Sequence, residues 1–211
     1  MSALKNLKLY YFTVVQGSTT MGRGENVRLL LEDAGVDFEY VRYNAAQWQE
    51  EKQKLLDQKV RNPTMPFITI DGKYYGKTAP LLRFLSHKLG KYEGDNDDES
   101  QLLDVYTDMA NDWVGRWVKT VFGNPSEESV KTYREETAPQ TFKTWDDILS
   151  DTKGPFLLGE KISYADFTLF HMLEDDTTIK VSAETYPHLS AFVEAVNNRH
   201  NLKKYLATER K

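Results

Sequence analysis

Residues 62–75 read NPTMPFITIDGKYY, and this stretch decides the fold. Phe67, Ile68, Thr69 and Ile70 are apolar or β-branched, which suits a strand. Asp71-Gly72 is a strong signal for a tight hairpin turn, and residues 73–75 begin the return strand. Pro66 sits just before the first of the two strands.

Working outward, residues 7–15 (LKLYYFTVV) are aromatic and β-branched and predict a buried strand. Residues 16–24 (QGSTTMGRG) carry three glycines and three hydroxyl residues and predict a loop. A helix follows at residues 25–34, with Val27, Leu30 and Leu31 on its apolar side and Gly35 as its stop. Residues 38–43 (FEYVRY) predict a second strand, and residues 47–58 a short exposed helix with a thin stripe of Trp48, Leu55 and Leu56. After the hairpin, residues 78–89 read as a helix that tolerates Pro80 in its first turn. The order β-α-β-α-β-β-α over about 90 residues is the outline of a thioredoxin-like domain.

Residues 90–100 (GKYEGDNDDES) are polar, acidic and glycine-bearing, as linkers are. Everything beyond reads as helix. Residues 101–122 place Leu102, Val105, Met109, Trp113, Trp117 and Val121 at three-to-four spacing. Residues 127–149 are helical with a break or kink at Pro139, and shorter helices follow at 165–173, 188–198 and 202–206. The expected fold is α/β plus all-α: a thioredoxin-like domain over 1–90, a linker over 91–100 and a helical bundle over 101–211.

With 211 residues, 40% of them hydrophobic and 28% charged, the chain can bury a proper core and is not a disordered one. A formal charge of −5 argues against a duplex nucleic-acid binder, so no nucleic-acid partner is expected. The lack of cysteine removes disulfides, thiolate catalysis by the protein and cysteine-based zinc sites, and favours the cytoplasm. No stretch approaches the ~20 apolar residues of a membrane span, so no membrane partner is expected. The four histidines show no metal-ligand spacing, and the glycines form no phosphate loop.

Several separated motifs carry a resemblance that runs nearly end to end. They are Leu9-Tyr10-Tyr11-Phe12, Gly22-Arg23-Gly24-Glu25 with Arg28, Trp48 with Lys52, Thr64-Met65-Pro66, Lys77-Thr78, and Gly159 with Ser163-Tyr164-Ala165-Asp166. In this layout the chain resembles the cytosolic glutathione transferases, and within them the tyrosine-type classes (sigma, alpha, mu and pi).

The resemblance implies a role for each motif. Tyr11 matches the catalytic tyrosine, whose hydroxyl hydrogen-bonds the glutathione sulfur, favours the thiolate and lowers the thiol pKa. Strand alternation sends Tyr10 and Tyr11 to opposite faces, so one of them packs inside. Arg23 matches a residue that brings a guanidinium near the thiolate. The connection from Tyr11 to Glu25 is about six residues longer than usual, which keeps Ser18 open as the alternative donor. Trp48 and Lys52, one helical turn apart, match contacts to the glycyl carboxylate; a surface tryptophan beside a solvated lysine is the plain alternative. Met65 matches the residue that pairs its backbone with the cysteinyl unit, held by a cis bond to Pro66. Thr78 matches a hydroxyl at a helix N-terminus that suits the γ-glutamyl carboxylate, and Lys77 stands where the family usually has Gln or Glu. Asp112, or Asp108, matches an acidic residue that reaches the γ-glutamyl ammonium across a dimer interface, with a solvated acidic face as the alternative. Ser163 and Asp166 match a helix-capping box with a folding role. Trp113, Trp117 and Trp145 are most simply core, although Trp113 and Trp117 also suit a pocket lining.

The function so implied is conjugation of the glutathione thiolate to a hydrophobic electrophile bound between the domains of a homodimer, in detoxification. Glutathione is the co-substrate and no metal is needed. Two alternatives stay open on the same scaffold. One is a glutathione-dependent isomerase or biosynthetic enzyme with a narrow substrate. The other is a non-catalytic glutathione- or ligand-binding protein.

Overall fold

The computed structural model describes residues 4–13, 21–208 and 210. Two compact units emerge: residues 1–91 with 200–211, and residues 92–199.

The first unit runs β1 (Lys8–Phe12), α1 (Gly24–Ala34), β2 (Glu39–Tyr43), α2 (Ala45–Asp57), β3 (Phe67–Ile70), β4 (Lys73–Gly76) and α3 (Thr78–Leu89), and is completed by α9 (His200–Leu206). The sheet order is β2-β1-β3-β4, with β1 and β2 parallel and the other pairs antiparallel. This is the thioredoxin-like arrangement expected from the element order. Alternation along β1 gives its faces separate tasks. Tyr10 faces α2, where its ring stacks on Phe67 at 4.3 Å beside the buried cluster of Trp48, Leu55 and Phe67. Leu9, fully buried, and Tyr11 face the other way, toward α1. α1 meets the sheet through Val27, Leu30 and Leu31, all fully buried, and ends at Gly35 in the left-handed conformation. Each such apolar side chain contributes about 1.5–3 kcal/mol on burial.

α2 starts two residues earlier than its apolar stripe suggests. Asn44 caps it, accepting from the Gln47 N–H while the Gln47 side chain accepts from the Asn44 N–H, both at 2.9 Å. Trp48 and Leu55 are buried as expected, but Leu56 is exposed. The buried face here is only one residue wide per turn.

The second unit contains α4 (Asp97–Val121), α5 (Glu127–Thr132), a π-helical turn (Tyr133–Thr137), α6 (Ala138–Ser150), α7 (Tyr164–Asp175) and α8 (Pro187–Asn197). α4 begins inside the acidic stretch that reads as linker. Asn96 caps it, accepting from the Glu99 N–H at 2.9 Å, and Asp97, Asp98 and Glu99 lie in its first turn, where negative charge meets the positive helix end. Its buried face is Leu103, Thr107, Ala110, Trp113 and Trp117. Of the apolar positions expected there, only Trp113 and Trp117 are buried, while Val105 and Val121 are exposed. The predicted break near Pro139 takes the form of the π-helical turn just before it. Trp113 donates its indole N–H to Asp176 at 2.9 Å, and the Tyr133 hydroxyl donates to the same carboxylate oxygen. Trp113, Trp117 and Trp145 are therefore all core.

The capping box of α7 is present. The Ser163 N–H and hydroxyl donate to one Asp166 oxygen at 2.7 and 2.6 Å, and the Leu157 N–H donates to the other at 2.9 Å. No helix among the described residues is long and apolar enough to cross a membrane.

Candidate active site

β1 is the central support of the site. At its end Tyr11 turns toward the start of α1 and lies against residues 22–24. A Cβ at Gly22 would stand 2.5 Å from the Tyr11 hydroxyl oxygen, and one at Gly24 would stand 2.5 Å from Cγ of the same ring. Gly22 also has φ +70°, which disfavours any side chain. These glycines let the backbone approach the ring closely. The Arg23 N–H donates to the Tyr11 oxygen at 2.9 Å. The structure thus joins the two residues through the Arg23 backbone, and the Arg23 side chain is exposed. An accepted N–H fixes the phenol and polarises its own O–H, making it a better donor. Ser18, the alternative donor, lies outside the described residues.

The remaining expected residues of the first unit fall around the same sheet. Trp48 is largely buried, with the exposed Phe12 edge-on to it at 6.2 Å, and half-buried Lys52 follows one turn on. Met65 packs against the Trp48 cluster, and the Met65–Pro66 bond is cis. Tyr74, which sequence reading does not single out, anchors this segment. Its hydroxyl accepts from the Thr64 N–H at 3.1 Å and donates to the Thr64 carbonyl at 3.4 Å. Gly76 leaves room for that ring, since a Cβ there would overlap the Tyr74 oxygen. The available signal was the alternation of Tyr74 with Gly76 in β4, but it does not reveal the bond to Thr64.

Lys77 precedes α3 at φ +73° and ψ 127°, a strained conformation for a residue with a side chain. Thr78 is buried as the first residue of α3. The first intrahelical bond runs from the Leu81 N–H to the Lys77 carbonyl, so the Thr78 and Ala79 amides have no intrahelical acceptor and suit an anion.

Asp108 and Asp112 are exposed on α4 in the second unit. Asp112 lines a cavity of about 300 Å³ with Met109, Arg116, Thr141 and Trp145. No group of three or more metal-ligating side chains occurs among the described residues.

A second feature of the first unit has no local sequence signal. Glu25 is fully buried, and one of its oxygens accepts from the Tyr205 hydroxyl at 2.7 Å and from Arg210 at 3.2 Å. Burial pushes the Tyr205 phenol well above its ordinary value, and Glu25 beside it adds to the rise. Arg28 lies between the Tyr40 and Tyr205 rings at 4.8 and 4.6 Å.

Comparison with known proteins gives a family. Residues 10–75 match the profile of the glutathione S-transferase N-terminal domain, and residues 111–209 that of the glutathione S-transferase C-terminal domain. Glutathione S-transferase P 10 of Caenorhabditis elegans is 30% identical over 203 residues, covering 94% of this chain and 90% of that protein. Glutathione S-transferase alpha-4 of Rattus norvegicus is 30% identical over 203 residues, covering 94% and 87%. Among solved structures, prostaglandin synthase D of Nilaparvata lugens superposes with a TM-score of 0.79 at 25% identity, covering 98% of this chain and 99% of that one. The pi-class glutathione S-transferase of Onchocerca volvulus shares the fold at a TM-score of 0.78 and 22% identity, covering 95% and 92%. The chain belongs to the glutathione S-transferase family.

Proposed function

We propose that this protein is a glutathione transferase that joins the glutathione sulfur to a hydrophobic electrophile. The observation that carries the reading is the Tyr11 phenol, held by the Arg23 amide against the 22–24 turn at the end of β1. The family membership and the naming of the relatives support the transferase class.

In this reading the thiol of bound glutathione releases its proton to solvent. The Tyr11 O–H donates to the sulfur and stabilises the thiolate. The thiolate then attacks the electrophilic carbon, a C–S bond forms and the leaving group departs. Lys52 and Trp48 receive the glycyl carboxylate, the Met65 backbone pairs with the cysteinyl unit beside Pro66, and Thr78 with the free amides of α3 receives the γ-glutamyl carboxylate. Lys77 adds a positive charge there. Arg23 adds its guanidinium to the thiolate's surroundings.

A homodimer is part of the proposal. Asp112 of one copy accepts the γ-glutamyl ammonium of glutathione bound to the other. The exposed apolar residues Val105, Val118, Val121 and Phe122 of α4 and its end support a surface that a second copy covers. A cytoplasmic location and a detoxifying role follow from the same family reading. No metal takes part in the reaction as proposed.

The test is conjugation of glutathione to an activated aryl halide by the wild type and by Tyr11→Phe. A fall in kcat/KM of about 10²-fold is expected from loss of one charge-stabilising donor. Equal rates in the two proteins would contradict the assignment of Tyr11.

A further inference from the structure

Arg42 stands directly across from Tyr11 in the parallel β1–β2 register. Paired residues of neighbouring strands project from the same face of a sheet, and strands lie about 4.8 Å apart. Arg42 and Tyr11 therefore share the α1 side. The Arg42 guanidinium lies 4.7 Å from the Tyr40 ring centre, and its Nε, Nη1 and Nη2 are all buried with no hydrogen-bond partner among the described residues.

A guanidinium cannot escape burial by losing its proton. Its charge persists in a medium that screens it poorly. Among the described residues no carboxylate bonds it. Glu25 bonds Tyr205 and Arg210, and Glu32 meets Arg28 at 3.5 Å. Tyr40 stays a neutral phenol, because burial pushes it up to about 12. Among the described residues the charged and titratable groups on the α1 side of the sheet include Arg23, Glu25, Arg28, Glu32 and Asp33 of the α1 segment, Tyr40 and Arg42 of β2, and Tyr205 and Arg210 of the C-terminal segment. Lys8 and Glu39 pair with each other on the opposite face, and α3 turns Leu81, Leu82 and Leu85 inward. Among the described residues Arg28 and Arg210 each meet a carboxylate, Glu32 and Glu25, whereas Arg42 meets none. Tyr11 is the half-buried phenol across the register from that unpartnered charge.

We propose that Arg42 is a positioning residue for the reaction at Tyr11: its unneutralised charge on the same sheet face strengthens Tyr11 as a donor to the glutathione sulfur. The proposal rests on the reading of Tyr11 as that donor. Arg42 touches neither glutathione nor electrophile. It acts through the phenol, which gains acidity and so gives a stronger hydrogen bond to the thiolate.

The test begins without glutathione, so that it stands apart from the functional reading. Tyrosinate absorbance is titrated in the wild type and in Tyr11→Phe, and the difference isolates Tyr11. The same pair is then measured on Arg42→Gln, Arg42→Met and Arg42→Lys backgrounds. In the wild type Tyr11 should titrate below the ordinary phenol value of about 10. Removing the charge should raise it by about one pH unit, and Arg42→Lys should recover part of the shift. The pH midpoint of thiolate formation with bound glutathione should rise in parallel. A wild-type Tyr11 that titrates at or above the ordinary value overturns the proposal without need of any variant. So does a lowered value that Gln and Met leave unchanged, which would assign the effect to the Arg23 amide. Absence of a glutathione thiolate in a wild type whose Tyr11 does respond to Arg42 would count against the transferase reading alone.

Discussion

The Arg23 backbone N–H donates to the Tyr11 hydroxyl oxygen over 2.9 Å. A bond from the chain itself holds a side chain more firmly than one from a flexible guanidinium. The tyrosine that ends β1 is therefore aimed by the turn that opens α1, and that turn depends on two glycines.

Gly24→Ala tests this dependence. The new Cβ would stand 2.5 Å from Cγ of Tyr11, so ring or turn must shift. We expect a loss of about 1–3 kcal/mol in stability, as for overpacking. We also expect kcat/KM for conjugation to fall at least ~10-fold, since a misplacement near 1 Å can cost about 10²-fold. Urea unfolding and steady-state kinetics read the two effects. Unchanged kinetics would show that Tyr11 tolerates displacement.

Lys77 offers a test of strain. Its φ of +73° is one that glycine adopts without penalty. Relief of a strained non-glycine conformation is worth about 1–3 kcal/mol, offset by about 0.5–1 kcal/mol from the looser unfolded chain. Lys77→Gly should therefore raise stability by about 1 kcal/mol, measured by urea unfolding. If the ammonium helps hold the γ-glutamyl carboxylate, KM for glutathione rises in the same variant. Lys77→Gln separates the two effects, because it removes the charge and keeps the strain.

Asp166 should make stability depend on pH. Burial raises its pKa to about 6, against the opposing pull of its bonds from Ser163 and Leu157. The folded value exceeds the unfolded one of about 3.9, so the folded state binds the extra proton between them. Its stabilising contribution is fully present below about pH 4 and is lost as pH rises through about 6. The stability of the wild type relative to Asp166→Asn should accordingly decline across that window, by about 1.4 kcal/mol for each pH unit crossed. Urea unfolding of both proteins at several pH values measures it, and a flat difference would contradict the raised pKa.

The sequence expectations did best where local chemistry is strong. Asp71-Gly72 fixed the hairpin, Gly35 stopped α1, and the Ser163–Asp166 box started α7 because each of these signals acts within a few residues. Parity along β1 separated Tyr10 from Tyr11 but could not say which faced inward; the stacking of Tyr10 on Phe67 decides it. α4 was harder. Hydropathy favoured Val105 and Val121, yet the buried side begins with Leu103, Thr107 and Ala110. Small residues let helices approach, and Thr107 satisfies its hydroxyl on the Leu103 carbonyl at 2.8 Å. The acidic residues at 97–99 read as linker by composition but serve as the first turn of a capped helix. Long-range partners left no trace in the sequence. Glu25 meets Tyr205 across 180 positions, and Arg42 looks like any polar residue of an edge strand until its register with Tyr11 is known.

The most direct test of the account is a spectroscopic titration of bound glutathione against pH in the wild type and in Tyr11→Phe, following thiolate absorbance. Wild type should hold the thiolate near neutral pH, below the ordinary thiol value of about 8.5, and Tyr11→Phe should return it toward that value. A thiolate that forms equally well in Tyr11→Phe would contradict the account and take the activation of sulfur away from Tyr11.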